Sequence, residues 1–228
     1  MHNTDMADAA FRQRLSWSEH VLTRAEMVQA LGTGQAGDEL VNPHFEPAVP
    51  NDIKAGAGRS SVAILVLDQA EPVVLLTKRS AKIRFGGQFC FPGGREAPED
   101  EGLRQTALRE TFEEINVLPS ALTFVGCLGT YFTHAGYLIE PNVFMADPDL
   151  SYWANPDEVA EIVLVPLSEL QNKSNYHLVK RGGGRANFSF RWSRIQVGGP
   201  TVSLMIHLMH SLSGVPNPRG RNSWRDKF

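Results

Sequence analysis

The 228-residue sequence is short of several features that would assign a protein to a class at once. Cysteine occurs only twice, as Cys90 and Cys127 with no CxxC pair, so we expect two free thiols, with one disulfide as the alternative. Twenty-two Lys and Arg against 25 Asp and Glu leave no basic excess for nucleic acid. No apolar run approaches the roughly 20 residues that span a bilayer, and the N-terminus has no apolar signal segment. A cytoplasmic protein that binds neither nucleic acid nor a membrane is expected.

The composition is that of a folded protein, because 42% of the residues are hydrophobic and 21% are charged, which excludes disorder of the whole chain. Apolar runs typical of buried strands alternate with segments of helical periodicity. The order strands, helix, strands, helix predicts an α/β (α+β) fold with a mixed β-sheet between helices. The predicted strands cover residues 61–67, 73–77, 89–91, 122–128, 137–146, 161–165 and 188–197, and the predicted helices cover 8–31, 102–115 and 201–212.

Composition also divides the chain into three predicted parts. Residues 1–57 are an N-terminal helical extension and linker, because prolines and small polar residues are concentrated between 42 and 57. Residues 58–214 contain the predicted sheet and form the main domain. Residues 215–228 are a C-terminal tail that its Pro, Gly and Arg content predicts to be mobile.

The predicted helix over 102–115 carries the most informative pattern. At about 100° per residue, Glu110, Glu113 and Glu114 fall on one face. Such like-charged neighbours destabilise a helix by roughly a few tenths of a kcal/mol per pair. A divalent cation would offset this repulsion, since Mg²⁺ takes carboxylate oxygens and bridges to phosphates; a solvated acidic face is the alternative. The apolar side chains of the opposite face, which we expect to pack on the sheet, are Leu108, Phe112 and Ile115.

Residues 94–117 resemble the Nudix box, a pattern written GX5EX7REUXEEXGU in which U is apolar. The nine residues that begin at Arg109 match the second half of the pattern except at two positions. Thr111 stands at an apolar position, and Asn116 stands at the second glycine. Asn is the non-glycine residue that best adopts the left-handed conformation of a helix C-cap, so the second change is mild.

The first half of the box leaves one choice open. Five residues separate Gly94 from Asp100, as the pattern requires, but one extra residue then precedes Arg109. Glu101 instead keeps the spacing to Arg109 and places the insertion before it. Either acid could form the supporting ion pair with Arg109.

The resemblance extends to one branch of the Nudix hydrolases, the coenzyme A pyrophosphatases. Residues 75–80, Arg84, Gly87 and 91–94 look like the LLTxRS…R…G…FPGG signature of that branch. The later segments that are also similar to it are 136–141 and 155–159. The stretch between Arg84 and Gly87 is one residue shorter than the usual pattern, a departure that would reshape the pocket.

The resemblance implies a Nudix-type mixed sheet between helices and an enzyme that hydrolyses a nucleoside diphosphate linked to another group. For this branch it implies cleavage of the pyrophosphate bond of coenzyme A or its derivatives to 4'-phosphopantetheine and adenosine 3',5'-bisphosphate, with Mg²⁺ or Mn²⁺ as cofactor. A Nudix hydrolase of ADP-ribose, NADH or another nucleoside diphosphate derivative is the enzymatic alternative. A nucleotide-binding regulatory module without turnover is the non-enzymatic alternative.

The resemblance also implies roles for individual residues. Glu110, Glu113 and Glu114 are the candidate metal ligands, and Glu113 is also a candidate base. Arg109 is expected to orient carboxylates, and Glu158 is a candidate distal base, with a solvated loop acid as the alternative. The candidate substrate-binding residues, of which the two arginines have a surface role as the alternative, are Arg79, Arg84, Gly93 and Gly94.

Two further features lie outside this pattern. The N-terminal helical segment is a candidate for covering the pocket or for forming a homodimer. His207 and His210 lie three residues apart on the last predicted helix, and because no third ligand accompanies them, packing or a surface position is expected rather than metal binding.

Overall fold

The computed structural model of the chain describes residues 9, 11–13, 15, 17, 22–32, 39–40, 49–180 and 186–214. Within this part the chain forms one mixed sheet of nine strands, a second sheet of three strands, and helices on both faces of the larger sheet. The predicted α+β class, with a mixed sheet between helices, is confirmed. The C-terminal tail predicted for 215–228 lies outside the described residues.

The elements are numbered in chain order. The helices are α1 (Arg24–Leu31), α2 (Asn51–Ala55), α3 (Leu103–Ile115), α4 (Leu167–Gln171) and α5 (Gly199–Leu212). The strands are β1 (Glu39–Leu40), β2 (Gly58–Leu67), β3 (Val73–Arg79), β4 (Phe89–Cys90), β5 (Gly93–Arg95), β6 (Thr123–Cys127), β7 (Thr130–Thr133), β8 (Tyr137–Ala146), β9 (Val159–Pro166), β10 (Tyr176–Lys180), β11 (Ala186–Trp192) and β12 (Ile195–Gly198). Two 3₁₀ turns cover Pro119–Ala121 and Lys173–Asn175.

Strand β2 is the centre of the large sheet. It pairs in parallel with β8 and antiparallel with β3 and β5, within the order β1-β7-β8-β2-β3-β4. Its apolar run is buried on both faces, as a continuous β-branched run predicts. Ile64 and Val66 join the core beside α5, whereas Ala63, Leu65 and Leu67 join the core beside α3.

The N-terminal segment is part of the core beside α5. The Phe11 ring lies 4.5 Å from the Phe188 ring, and Trp17 Nε1 donates a 2.7 Å hydrogen bond to the Gln171 carbonyl. Helix α1 begins with a capping box, in which the side chains of Thr23 and Glu26 each accept from the other's backbone N–H. The segment therefore covers the apolar side of the small sheet and of α5.

Several sequence-based boundaries differ from the structure. The predicted strand over 188–197 is two strands, β11 and β12, because the chain turns at Ser193 with a positive φ. The part of the predicted linker from 49 to 57 contains the short helix α2, while 41–48 lie outside the described residues. Both cysteines are free thiols, as expected. No helix among the described residues is long and apolar enough to cross a membrane.

Candidate active site

Helix α3 turns two of its three acids, Glu110 and Glu114, toward the sheet. Glu114 is only 3% exposed and lies on the same side of the helix as Ala107 and Thr111, which are fully buried. Small side chains at those two positions let the helix approach β2 closely. Phe112, expected to pack on the sheet, is instead 45% exposed, so that prediction is wrong, while Ile115 is buried as expected. The residues that line a cavity of about 420 Å³ on the outer side include Phe112, Leu118, Leu150 and Trp153.

Two glycines form the surface against which the acids lie. Strand β5 pairs with β2, so that Gly94 lies opposite Ser61. A Cβ at Gly94 would lie 2.5 Å from Glu110 Oε2, and a Cβ at Gly93 would lie 2.7 Å from the Val62 Cα. Gly93 also has a φ of +154°, which L side chains rarely adopt. Glycine at 94 allows the backbone to approach the Glu110 carboxylate this closely, and glycine at 93 allows β5 to lie this close to β2.

Arg109 is anchored by Asp100. Its Nε and Nη2 atoms donate to the two oxygens of Asp100 at 2.9 and 3.0 Å, and the Asp100 side chain is 2% exposed. These hydrogen bonds, with a smaller contribution from the Ala97 backbone N–H, lower the pKa of Asp100 to about 2. Glu101 is exposed. The structure therefore places Asp100, rather than Glu101, as the acid that supports Arg109.

The same guanidinium orients two of the three glutamates. Arg109 Nη1 donates to Glu110 Oε1 and to Glu113 Oε2, both at 3.0 Å, and Nη2 donates to the Arg95 carbonyl at 2.8 Å. The Glu113 side chain is 46% exposed, whereas that of Glu110 is 15% exposed. Burial raises the pKa of Glu110, which Arg109 opposes. One cation thus fixes the positions of two carboxylates, the role predicted for Arg109.

Glu114 is the most buried of the three acids. Its Oε1 atom lies 3.8 Å from Arg79 Nη1, and its Oε2 atom has no hydrogen-bond partner among the described residues. Burial raises the pKa of Glu114 to about 8, against the opposing effect of Arg79, and the charges of Glu110 and Glu158 raise it further. A buried carboxylate oxygen without a partner costs free energy and is suited to accept a ligand.

Glu158 belongs to the loop that leads into β9. Its charge raises the pKa of both Glu110 and Glu114, so it lies within electrostatic range of the carboxylates of α3. Its carbonyl accepts a 2.7 Å hydrogen bond from the Ser80 backbone N–H at the end of β3. The loop also contacts the C-terminal end of α3 through Asn155, a residue to which sequence reasoning gave no separate role. The Asn155-Pro156 dipeptide, which favours a turn, is the sequence feature that could have drawn attention to Asn155.

The two candidate substrate arginines differ in position. Arg79, at the end of β3, is partly buried and faces Glu114. Arg84 is exposed, and its guanidinium stacks on the Phe85 ring at 4.6 Å. Arg84 contacts the site indirectly, because its carbonyl accepts a hydrogen bond from Arg79 Nε at 3.1 Å. Arg79, Gly93, Gly94, Glu158 and the acids of α3 therefore come together, whereas the Arg84 side chain does not join them.

The donor set suits a divalent cation, although its present arrangement is held by arginine. Within the described part of the chain, no three His, Cys, Asp or Glu side chains stand in metal-binding geometry. Glu110 and Glu113 are turned toward Arg109, whose single positive charge they share with Asp100. The partnerless Oε2 of Glu114, the backbone approach at Gly94 and the all-carboxylate chemistry nevertheless fit a hard ion such as Mg²⁺.

Comparisons with known proteins identify the family. The family model described as NUDIX domain matches residues 58–182. The "Uncharacterized Nudix hydrolase NudL" of Photorhabdus laumondii is 35% identical over 164 residues, 71% of this chain and 88% of its own. That of Yersinia pestis is 31% identical over 194 residues, 79% of this chain and 97% of its own. The solved NUDIX domain of Shewanella oneidensis NrtR with ADP ribose is 24% identical, with a TM-score of 0.40 over 50% of this chain and 76% of that chain. The chain belongs to the Nudix hydrolase family, whose enzymes act on nucleoside diphosphate derivatives.

Proposed function

We propose that this Nudix hydrolase cleaves the pyrophosphate bond of coenzyme A or its derivatives, with Mg²⁺ or Mn²⁺ as cofactor and with 4'-phosphopantetheine and adenosine 3',5'-bisphosphate as products. The observation that carries the proposal is the buried Glu114 carboxylate, whose Oε2 has no partner among the described residues and which lies beside two further glutamates. The choice of coenzyme A is supported by the similarity of residues 75–80 and 91–94 to the signature of that branch.

Glu110, Glu113 and Glu114 would hold the divalent cation, because hard ions take carboxylate oxygens. When bound, such a cation supplies Lewis-acid polarisation of the diphosphate. Glu113 is half exposed, so its side chain can leave Arg109 by rotation at little cost. Glu114 needs no such rearrangement, since one of its oxygens already lacks a partner.

The other candidate residues then have separate tasks. Arg79 is the cation placed to meet a phosphate oxygen, because it is partly exposed and lies beside Glu114. Glu158 would accept the proton of the attacking water. Gly94 has no side chain, so its backbone can lie directly beside the Glu110 carboxylate. Arg109 keeps its contact with Asp100 and holds Glu110 while Glu113 exchanges partners.

A substrate panel tests the proposal. Coenzyme A, acetyl coenzyme A, ADP-ribose and NADH are incubated with the protein and Mg²⁺ or Mn²⁺, and the products are identified by mass spectrometry. We expect coenzyme A or its ester to be the best substrate by kcat/KM. Turnover of ADP-ribose or NADH without cleavage of coenzyme A would replace this substrate assignment, and nucleotide binding without any cleavage would indicate a regulatory module.

The variant Glu114→Gln tests the role of the acid in the same assay. It keeps the size of the side chain and removes its charge, and we expect kcat/KM to fall by at least about 100-fold, as on loss of a catalytic electrostatic group. Glu101→Gln is the matched control, because Glu101 is an exposed glutamate in the same segment. An equal loss in the two variants would contradict a specific role for Glu114.

The homodimer and the cytoplasmic location stay predictions from the sequence. Light scattering on the purified full chain measures the first directly. The structure adds one constraint to the first prediction. Because Phe11, Leu15 and Trp17 are each at most 3% exposed, these N-terminal side chains are already used inside one chain. A dimer would have to use other surfaces.

A further inference from the structure

The loop that carries Glu158 is joined to the end of α3 by hydrogen bonds, two of which come from Asn155. The Asn155 backbone N–H donates to the Glu114 carbonyl at 2.8 Å, and its Nδ2 donates to the Glu113 carbonyl at 3.2 Å. The last carbonyls of a helix have no partner within the helix, so they need donors from elsewhere. Asn155 supplies two of these donors, and both go to the backbone of candidate metal ligands.

A second contact lies beside this one. The Trp153 backbone N–H donates to the Ile115 carbonyl at 3.1 Å, and Asn116 Nδ2 donates to the Trp153 carbonyl at 3.0 Å. Asn116 ends α3 in the left-handed conformation, with a φ of +58°, as its place in the box predicts. The loop and the helix end therefore form one hydrogen-bonded unit.

The acceptor groups of Asn155 serve the other side of the loop. Its carbonyl accepts from the backbone N–H groups of Glu158 at 3.1 Å and Val159 at 2.8 Å. Its Oδ1 accepts from the Asp157 backbone N–H at 3.2 Å, which closes a turn around Pro156. Every hydrogen-bonding group of Asn155 thus contacts either the end of α3 or the residues from 157 to 159.

We infer that Asn155 is a positioning residue that fixes the Glu158 carboxylate relative to the acids of α3. The inference rests on the proposed function, in which Glu158 is the base. Asn155 touches the backbone on both sides and reaches no reacting atom itself. A displacement of about 1 Å in a reacting group can cost roughly 100-fold in rate, so the precision of this link has consequences for turnover.

The variant Asn155→Ala removes the two side-chain contacts and leaves the backbone contacts in place, so the protein is expected to fold. We expect kcat to fall at least about tenfold, with KM within about threefold of the wild-type value. Asn175→Ala is the matched control, because Asn175 Nδ2 also donates to a helix carbonyl, that of Glu169 at 2.9 Å, in helix α4. A kcat of Asn155→Ala equal to that of the control would overturn the inference.

A double-mutant cycle with Glu158→Gln separates positioning from a general structural role. If Asn155 acts through Glu158, the double variant is no slower than Glu158→Gln alone. If the two losses multiply, or if Glu158→Gln alone keeps the wild-type kcat, the inference is wrong.

Amide hydrogen exchange gives a readout that does not need turnover. Exchange in peptides that cover 153–160 is expected to be at least about tenfold faster in Asn155→Ala than in the wild type and in Asn175→Ala. Unchanged exchange would overturn the inference even if no substrate were found. Faster exchange in a protein that cleaves nothing on the panel would overturn the proposed function while the link itself stands.

Discussion

Helices α3 and α5 cover opposite faces of the same sheet, and they bury different kinds of side chain. Helix α5 buries mainly apolar side chains, and its residues from Val202 to His210, which include two histidines, are all buried. Helix α3 buries Glu114 and Thr111 and leaves Phe112 exposed. Apolar patterning therefore accounts for α5, whereas α3 places an aromatic ring outside and a carboxylate inside.

The difference shows what each helix does for the molecule. Burial of the α5 side chains stabilises the fold at about 25 cal/mol per Å² of apolar surface. Glu114 contributes no such stabilisation, and its Oε2, which has no partner in the described part of the chain, costs free energy instead. Buried groups that a local rule would place outside are expected at functional sites. The face of α3 toward β5 thus buries groups that lower the stability of the fold but are suited to catalysis.

The largest expected effect concerns Gly94→Ala. The new Cβ would meet the Glu110 carboxyl, which is the end of a flexible side chain and can move aside. We expect a folded protein with a near-normal Tm whose kcat/KM falls by about 1,000-fold, because the displaced carboxylate leaves the cluster. Steady-state kinetics and thermal unfolding measure the two effects separately.

Gly58→Ala is the control for the added methyl group. Its Cβ would meet the Tyr137 ring at 3.5 Å and the Gly136 carbonyl at 4.0 Å, both ordinary contacts, so activity should be retained. Gly93→Ala adds a contrast, since its Cβ would meet backbone atoms of β2 and should lower the Tm strongly. Full activity in Gly94→Ala would remove the reason for a glycine beside Glu110.

The second prediction concerns the buried histidine of α5. His210 is 4% exposed, lies edge-on to Trp17 at 5.4 Å, and its ring nitrogens have no hydrogen-bond partner among the described residues. Burial lowers its pKa to about 4, with smaller contributions from His207 and Lys173. The unfolded chain therefore binds a proton between pH 6.5 and 4 that the folded chain excludes. Stability is fully present above about pH 6.5 and falls as the pH drops toward 4.

The size of this loss follows from the two pKa values. Between pH 7.5 and 5 the single group accounts for about 2 kcal/mol of unfolding free energy, at roughly 1.4 kcal/mol per pKa unit. His210→Gln should flatten the pH dependence by that amount, as measured by urea unfolding at both pH values. The absolute stability of the variant does not enter, because only the difference between the two pH values is compared. Equal pH dependence in the two proteins would contradict the prediction.

Much of the fold was predictable because its signals are local. The run over 61–67 has only one environment that suits it, a strand buried on both faces, and β2 confirms this. The last helix and the helix of the box were found within one or two residues of their observed ends. The strands β1, β5, β7 and β10 were missed, since short strands are defined by pairing with distant residues rather than by their own side chains.

The site was predictable in composition but not in orientation. The sequence placed three glutamates on one face of α3, but it predicted that the opposite face, with Phe112, packs on the sheet. Only the paired strand with Gly93 and Gly94 shows that Glu110 and Glu114 face inward. The sequence alone likewise does not decide whether Asp100 or Glu101 supports Arg109, because this depends on the path of the loop before α3. Neighbouring acids in one segment cannot be told apart by spacing when the segment contains an insertion.

Asp100→Asn tests the support of Arg109. The amide keeps the size of the side chain but removes the charge that holds the guanidinium, so Arg109 should hold Glu110 and Glu113 less firmly. We expect kcat to fall about tenfold at unchanged KM, a loss of roughly 1.4 kcal/mol in transition-state stabilisation. Glu101→Gln serves as the control, because the neighbouring exposed acid has no such contact with Arg109. Equal losses in the two variants would contradict the assignment of Asp100, rather than Glu101, as the acid that supports Arg109.

The smallest expected effect is on stability and has the opposite sign. Glu114→Leu replaces a buried carboxyl by an apolar side chain of similar size, which makes α3 resemble α5. We expect the metal-free protein to gain about 1 kcal/mol at about pH 4, where the carboxyl is largely protonated in both the folded and the unfolded chain. The pKa of Glu114 is raised to about 8, so the folded chain keeps a proton that the unfolded chain releases. Wild-type stability therefore falls as the pH rises from 4.5 to 8, and the advantage of the variant grows over that range.

Divalent cation should reverse this order. A ligand that binds only the folded state stabilises it by mass action, so millimolar Mn²⁺ should raise the Tm of the wild type and leave that of Glu114→Leu unchanged. Thermal unfolding at pH 7.5, with and without Mn²⁺, measures both effects on the same two proteins. If Glu114→Leu is less stable than the wild type without the cation, the Glu114 side chain stabilises the packing of α3. Its burial would then be explained by stability, as for the side chains of α5, and not by function.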